Sequence, residues 1–61
     1  MYKIMIKEGR KKPKVLMSVG GSSAIDVVLK VQIFAGMDIT HHSSDFVEVT
    51  DGKTLYYTEK V

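Results

Sequence analysis

The sequence contains no cysteine. A disulfide and a thiolate metal site are thereby excluded, and stability has to come from elsewhere. This matters in a chain of 61 residues. A domain of that size buries only about 60% of its unfolded surface, and its single core rarely supplies more than about 3–5 kcal/mol. A well-packed core, a second subunit or a bound partner is what remains. The absence of cysteine is also compatible with a reducing, cytoplasmic setting. Long apolar runs are missing as well. The most apolar window, Ala24 to Met37, is interrupted by Asp26, Lys30 and Gln32, well short of a membrane span. The amino terminus, "MYKIMIKEGRKK", lacks the apolar stretch of a secretory signal. The expectation is one small domain over residues 1–61, complete in itself, soluble, cytoplasmic and away from membranes.

Motifs that carry chemistry are equally scarce. Ser22, Ser23, Ser43 and Ser44 stand in no recognisable nucleophile–base arrangement, and so short a chain has little material to wall a deep substrate pocket. "VGGSSAID" (residues 19–26) has the strand-to-helix form of an anion site. It lacks the lysine of a phosphate loop and the spaced glycines of a dinucleotide fold, and reads as a helix cap. "DITHHSSD" brings Asp38, His41, His42 and Asp45 together. Adjacent histidines point apart in extended chain, and their spacing matches no zinc pattern, so the segment reads as a polar connector. No catalytic, metal or cofactor residue is assigned, and the chain is not expected to be an enzyme.

What the sequence does contain is strand patterning. "YKIMIK" alternates Tyr2, Ile4 and Ile6 against Lys3, Met5 and Lys7, as a half-buried strand does. "KVLMSV" repeats the pattern, with Val15, Met17 and Val19 on one face. Gly9 and Pro13 between them mark a loop, so the two runs predict an antiparallel hairpin with a basic tip. Near the carboxyl end, Asp51-Gly52 separates two β-rich runs, a strong hairpin signal. A two-residue turn there sets Val47 and Val49 across from Thr54 and Tyr56. A three-residue loop sets them across from Leu55 and Tyr57. The choice reverses the face of every side chain in the last strand.

Between the hairpins, Ser23 followed by Asp26 approximates a capping box, and Gly36 suits a left-handed C-cap. These signals frame a helix over residues 24–35. The order β-β-α-β-β predicts an α+β fold, a two-layer sandwich with one helix on a four-stranded antiparallel sheet. The alternative is an all-β barrel of five strands, because "LKVQIF" (residues 29–34) also alternates and is rich in β-branched residues.

Two surfaces follow as candidates for function. On a helix of 100° per residue, Ala24, Val27, Val28, Val31, Phe34 and Ala35 form one broad apolar stripe. Ile25, Leu29, Ile33 and Met37 form a second row. One sheet covers one face, so the second row is expected in a subunit or partner interface. The other candidate is "KEGRKKPK", whose Lys7, Arg10, Lys11, Lys12 and Lys14 could neutralise phosphates. Residues 1–19 hold six Lys/Arg against one Glu, a net of +5, and the remainder holds three Lys against six Asp/Glu, a net of −3. Such asymmetry orients approach to an acidic partner.

The function expected from this sequence is that of a small binding protein, a homodimer that regulates or inhibits a macromolecular partner by covering part of its surface. Its size also fits the compact chains made by phages and mobile elements. The alternative is a nucleic-acid-binding protein that contacts phosphates through residues 7–14. Neither requires a cofactor.

Overall fold

The computed structural model describes all residues, 1–61. Five strands are present, β1 (Tyr2–Glu8), β2 (Lys14–Val19), β3 (Asp38–His42), β4 (Val47–Thr50) and β5 (Thr54–Lys60), with one helix, α1 (Ala24–Lys30), and a 3-10 turn at Gln32–Phe34. The strands form one sheet in the order β2-β1-β5-β4-β3, antiparallel at every pairing. The two terminal strands of the chain, β1 and β5, therefore pair at the centre. Every connection between sequence neighbours is a short hairpin except the one from β2 to β3, which carries α1.

The α+β class expected from the sequence holds. The four-stranded sheet does not, because "DITHH" is a fifth strand and not a connector. The barrel alternative fails at its premise, since Ala24–Lys30 is helical and the sheet has two separate edges, β2 and β3.

α1 begins as the sequence predicts. Ser23 is its N-cap in extended conformation, and its hydroxyl accepts the Asp26 N–H at 3.2 Å. The Asp26 carboxylate reaches back to the Ser22 N–H at 3.1 Å and forward to Lys30 Nζ at 3.0 Å. The Asp26–Ser23 bond satisfies one of the N–H groups that the first helical turn leaves free, and the Ser22 bond and the Lys30 pair hold the Asp26 side chain at the helix start.

The helix ends sooner than predicted, at Lys30 and not near Ala35. Val31 is extended, with φ −89° and ψ 111°, as suits a β-branched residue in a Val/Ile-rich segment. The 3-10 turn that follows swings Phe34 inward, where its ring meets Tyr56 edge-on at 5.3 Å. Gly36 does take a left-handed conformation, φ +84°, but it closes the 3-10 turn and not the α-helix.

The core lies between α1 and one face of the sheet. Tyr2 and Ile4 from β1, Val47 and Val49 from β4, and Ala24, Val27, Val28 and Phe34 from the helical layer form it. Met17, Val19, Ile25, Val31, Met37 and Tyr56 pack around it. One polar side chain is buried with them. Thr58 lies opposite Ile4 in the β1–β5 ladder, and its hydroxyl accepts the Val47 N–H at 3.0 Å.

The register of the last hairpin is neither of the two anticipated. Val49 stands opposite Tyr56, and Thr50 opposite Leu55. Side chains set this wider loop. Asp51 Oδ1 accepts the N–H groups of Lys53 at 2.9 Å and Thr54 at 2.8 Å, and the Thr50 hydroxyl donates to the Thr54 carbonyl at 2.9 Å. The first strand pair also departs from simple alternation. The register shifts between Ile4 and Met5, so that Met17 opposes Ile4 but Val15 opposes Met5. Val15 is therefore on the other face from Met17 and Val19, a bulge that the alternating pattern concealed.

Candidate functional site

Three surface regions bring chemically distinctive side chains together. The first is an apolar groove beside α1, on the β3 edge. Val28, Leu29, Val31, Phe34, Met37 and Ile39 are among its lining, and its volume is about 320 Å³. The groove exists because α1 is short and the chain turns away from it after Lys30. The four residues assigned to an interface divide here. Ile25 and Met37 are half-buried and pack against the core, whereas Leu29 is 77% exposed and Ile33 48%. Ile39, on β3, is 49% exposed and stands opposite Val49. Sequence reasoning missed it as a surface residue, because its segment was read as a connector.

The second region is the basic end of the sheet. Lys7 lies one residue before the end of β1, Lys14 opens β2, and Arg10, Lys11 and Lys12 lie in the loop between them, all five exposed. Gly9 has φ +57°, and the Lys11 N–H bonds the Glu8 carbonyl at 3.1 Å, so the tip is a defined turn. The antiparallel pairing places the β4–β5 turn at the same end. Lys7, Gly9, Thr50, Gly52, Lys53, Thr54 and Leu55 enclose a polar cleft of about 290 Å³ between the two turns. Lys53 thus joins the basic group, a residue that spacing alone could not connect to it. Asp51 lies in the same turn with its carboxylate engaged by backbone donors. The Thr54 N–H, then the Lys53 N–H, hold its pKa below the ordinary aspartate value, by stabilising the charged form.

The third region is the face of the sheet turned away from α1. Here the pairings align Val15, Met5, Tyr57, Glu48 and His41 in one row across the sheet. Phe46, just before β4, packs edge-on to His41 at 5.3 Å and tilted against Tyr57 at 6.0 Å. Met5, Phe46, Leu55 and Tyr57 are half-buried, yet none belongs to the core cluster or its surround.

The histidine segment does not gather into a metal centre. His41 stands opposite Glu48 and His42 opposite Val47, which puts the two rings on opposite faces. Asp45 pairs with Lys60 at 3.4 Å. No group of three or more His, Asp or Glu side chains is close enough to hold a metal ion. Within "VGGSSAID" the Ser22 and Asp26 N–H groups bond inside the cap of α1, the Ala24 N–H bonds the Ser44 carbonyl at 3.5 Å, and the helix has seven residues. No helix is long and apolar enough to cross a membrane. No family model, curated protein or solved structure matches the chain.

Proposed function

We propose that this protein is a non-enzymatic binding module that self-associates through the apolar groove beside α1 and acts by covering the surface of a macromolecular partner. One observation carries this reading. Leu29 and Ile39, 77% and 49% exposed, line a single groove from adjacent elements, and Ile33, 48% exposed, lies outside that lining in the 3-10 turn whose Gln32 and Phe34 belong to it. An apolar cluster of that kind marks an interaction surface. Full burial of an exposed side chain of this kind is worth about 1.5–3 kcal/mol, and of a half-exposed one about half that, a large quantity beside the ~3–5 kcal/mol that a core this small rarely exceeds.

The test is the oligomeric state. Leu29 contributes little to the core, so Leu29→Glu with Ile33→Gln leaves the fold in place. The wild type is expected to sediment as a dimer whose dissociation follows mass action, and the double variant as a folded monomer. A wild type that stays monomeric at high concentration would overturn the reading.

A second reading has its own support in the polar cleft between Lys7 and Lys53. In this reading the basic end, with Lys7, Arg10, Lys11, Lys12, Lys14 and now Lys53, contacts nucleic-acid phosphates. Lys11→Ala with Lys12→Ala would then lower the slope of log affinity against log salt by up to about 2 on duplex DNA, weakening all sequences alike.

A further inference from the structure

The sheet face opposite α1 presents a feature that neither reading uses. The chain has five Phe and Tyr residues and no Trp. Tyr2 and Phe34 belong to the core, and Tyr56 packs against it. Phe46 and Tyr57 are left on the open face, in contact with each other and, through Phe46, with His41. Both are half-buried, and the helical layer lies on the other side of the sheet. At one end of this patch lies the cleft between the hairpin turns. The patch and the cleft share a face, because Lys7 opposes Leu55, Leu55 opposes Thr50, and Met5 opposes Tyr57 in register.

We propose that this face binds single-stranded nucleic acid, with bases stacked on Tyr57 and Phe46 and a backbone phosphate held between Lys7 and Lys53. Leu55 and Tyr57 are two residues apart on one strand, so the cleft and the first ring are separated by about 7 Å, within reach of one nucleotide. Aromatic rings beside a basic groove are the general means of binding single strands without strong sequence preference. A duplex keeps its base faces stacked internally and cannot use the rings. The carboxylates on this face constrain the path. Glu48 lies between Tyr57 and His41 in the row and accepts the Thr40 hydroxyl at 2.8 Å. Glu59 opposes Lys3, and Asp38 lies opposite Thr50 on β3. The backbone is therefore steered along the Lys7–Lys53 end, with bases directed inward over the rings. This inference goes beyond the groove and does not depend on it. With the second reading it shares only the basic end.

The experiment uses the full chain and fluorescently labelled oligo(dT) and oligo(rU) of about 12 nucleotides, a length within the range that small binding folds occupy, alongside a duplex of equal length. Binding to single strands is expected to exceed binding to the duplex. Tyr57→Leu and Phe46→Leu keep apolar volume and are expected to weaken single-strand binding by about 5- to 100-fold each, while Tyr57→Phe retains the ring and the affinity. Lys7→Ala and Lys53→Ala should each lower the salt slope by about 0.7 on a single strand. Should the leucine variants fail to fold, chemical-shift mapping on the wild type decides. Perturbation at Met5, Leu55 and Tyr57, and not at Leu29 and Ile33, supports the proposal. No binding at low salt overturns it. So does binding lost in the Lys11→Ala, Lys12→Ala variant but unchanged in Tyr57→Leu and Phe46→Leu, which leaves the hairpin tip alone as the contact. A dimer that Tyr57→Leu dissociates, without oligonucleotide binding, also overturns it, by showing a second copy on this face.

Discussion

Replacing Thr58 by valine separates hydrogen bonding from packing at the centre of the fold. Thr58 is 2% exposed, and Ile4 and Val47 beside it are fully buried. Its hydroxyl accepts the buried Val47 N–H at 3.0 Å. Valine fills nearly the same volume but offers no acceptor, so the amide loses its partner in a place water does not reach. An orphaned buried donor costs about 1–3 kcal/mol. The added methyl returns at most about 0.8 kcal/mol. The expected net loss is about 0.2–2 kcal/mol. Thr58→Ser keeps the acceptor and deletes one methyl, for a loss of about 0.5–1.5 kcal/mol, by analogy with Ile→Val in cores.

A core this small rarely supplies more than about 3–5 kcal/mol, and the valine variant should melt lower by about 1–15 °C, since 1 kcal/mol moves the midpoint by about 4–8 °C in a domain of this size. Urea unfolding followed by circular dichroism, at one fixed protein concentration, measures both variants against wild type. Equal slopes would show that the same surface is exposed in each case. Hydrogen exchange adds an independent reading, because the Val47 amide should lose protection in Thr58→Val and keep it in Thr58→Ser. If Thr58→Val proves as stable as wild type while Thr58→Ser is clearly weaker, the site is held by methyl packing, and the hydrogen-bond argument is wrong.

The turn into α1 offers a steric counterpart. A Cβ built on Gly21 would approach Val27 Cγ2 to 2.6 Å and Asp26 Oδ2 to 2.9 Å; Val27 is fully buried and stiff at χ1, so Gly21→Ala should destabilise by about 1–3 kcal/mol, whereas Gly20→Ala, with open space around it, should show no such clash in the same urea titration. Acid should loosen the two side-chain-capped turns. Asp26, stabilised first by Lys30 and then by the Ser22 N–H, and Asp51, stabilised first by the Thr54 N–H, both have folded pKa values below 3.8. Their contribution is therefore fully present above the unfolded pKa of about 3.9 and is lost as pH falls through the lower folded values. The stability gap between wild type and Asp51→Ala, measured from pH 7 down to pH 2, should stay constant to about pH 4 and narrow below it; a gap that widens with acid would contradict the assignment.

How much of this was legible in the sequence depended on whether the controlling interactions were local. The first hairpin, the cap at Ser23 and Asp26, and the Asp51-Gly52 turn are each decided by residues within a few positions of one another, and each was visible. β3 was not. All five of its residues are exposed, so its side chains carry no alternation, and only the backbone of β4 makes it a strand. The early end of α1 was not legible either, because a 3-10 turn replaces its last turn after the extended Val31 and still sets Phe34 against Tyr56. The two leading interface candidates, Leu29 and Ile33, were identified by helical spacing, although Ile33 lies in the 3-10 turn. Ile25 and Met37 from the same row went to the periphery of the core, because the chain bends between them.

The aromatic face was hidden for a related reason. Whether Tyr56 or Tyr57 points inward rests on one residue of register, and that register is set by Asp51, Thr50 and Thr54 through side-chain hydrogen bonds that composition does not reveal. The same parity places Leu55 and Tyr57 on the side away from α1. A helix of seven residues over a sheet of five strands leaves one face bare and one edge only partly covered. The two proposed contacts then fall on different sides of the molecule, the groove on the helix layer and the rings on the opposite face. Self-association through Leu29 and Ile33 would therefore leave both ring faces accessible, one per copy. A dimer of that form would hold two single-strand segments at once, and the loss of Leu29 should lower affinity for a long strand spanning both faces more than for a short one, as bivalent binding requires. An equal loss for long and short strands would separate the two surfaces, leaving dimerisation without a part in nucleic-acid binding.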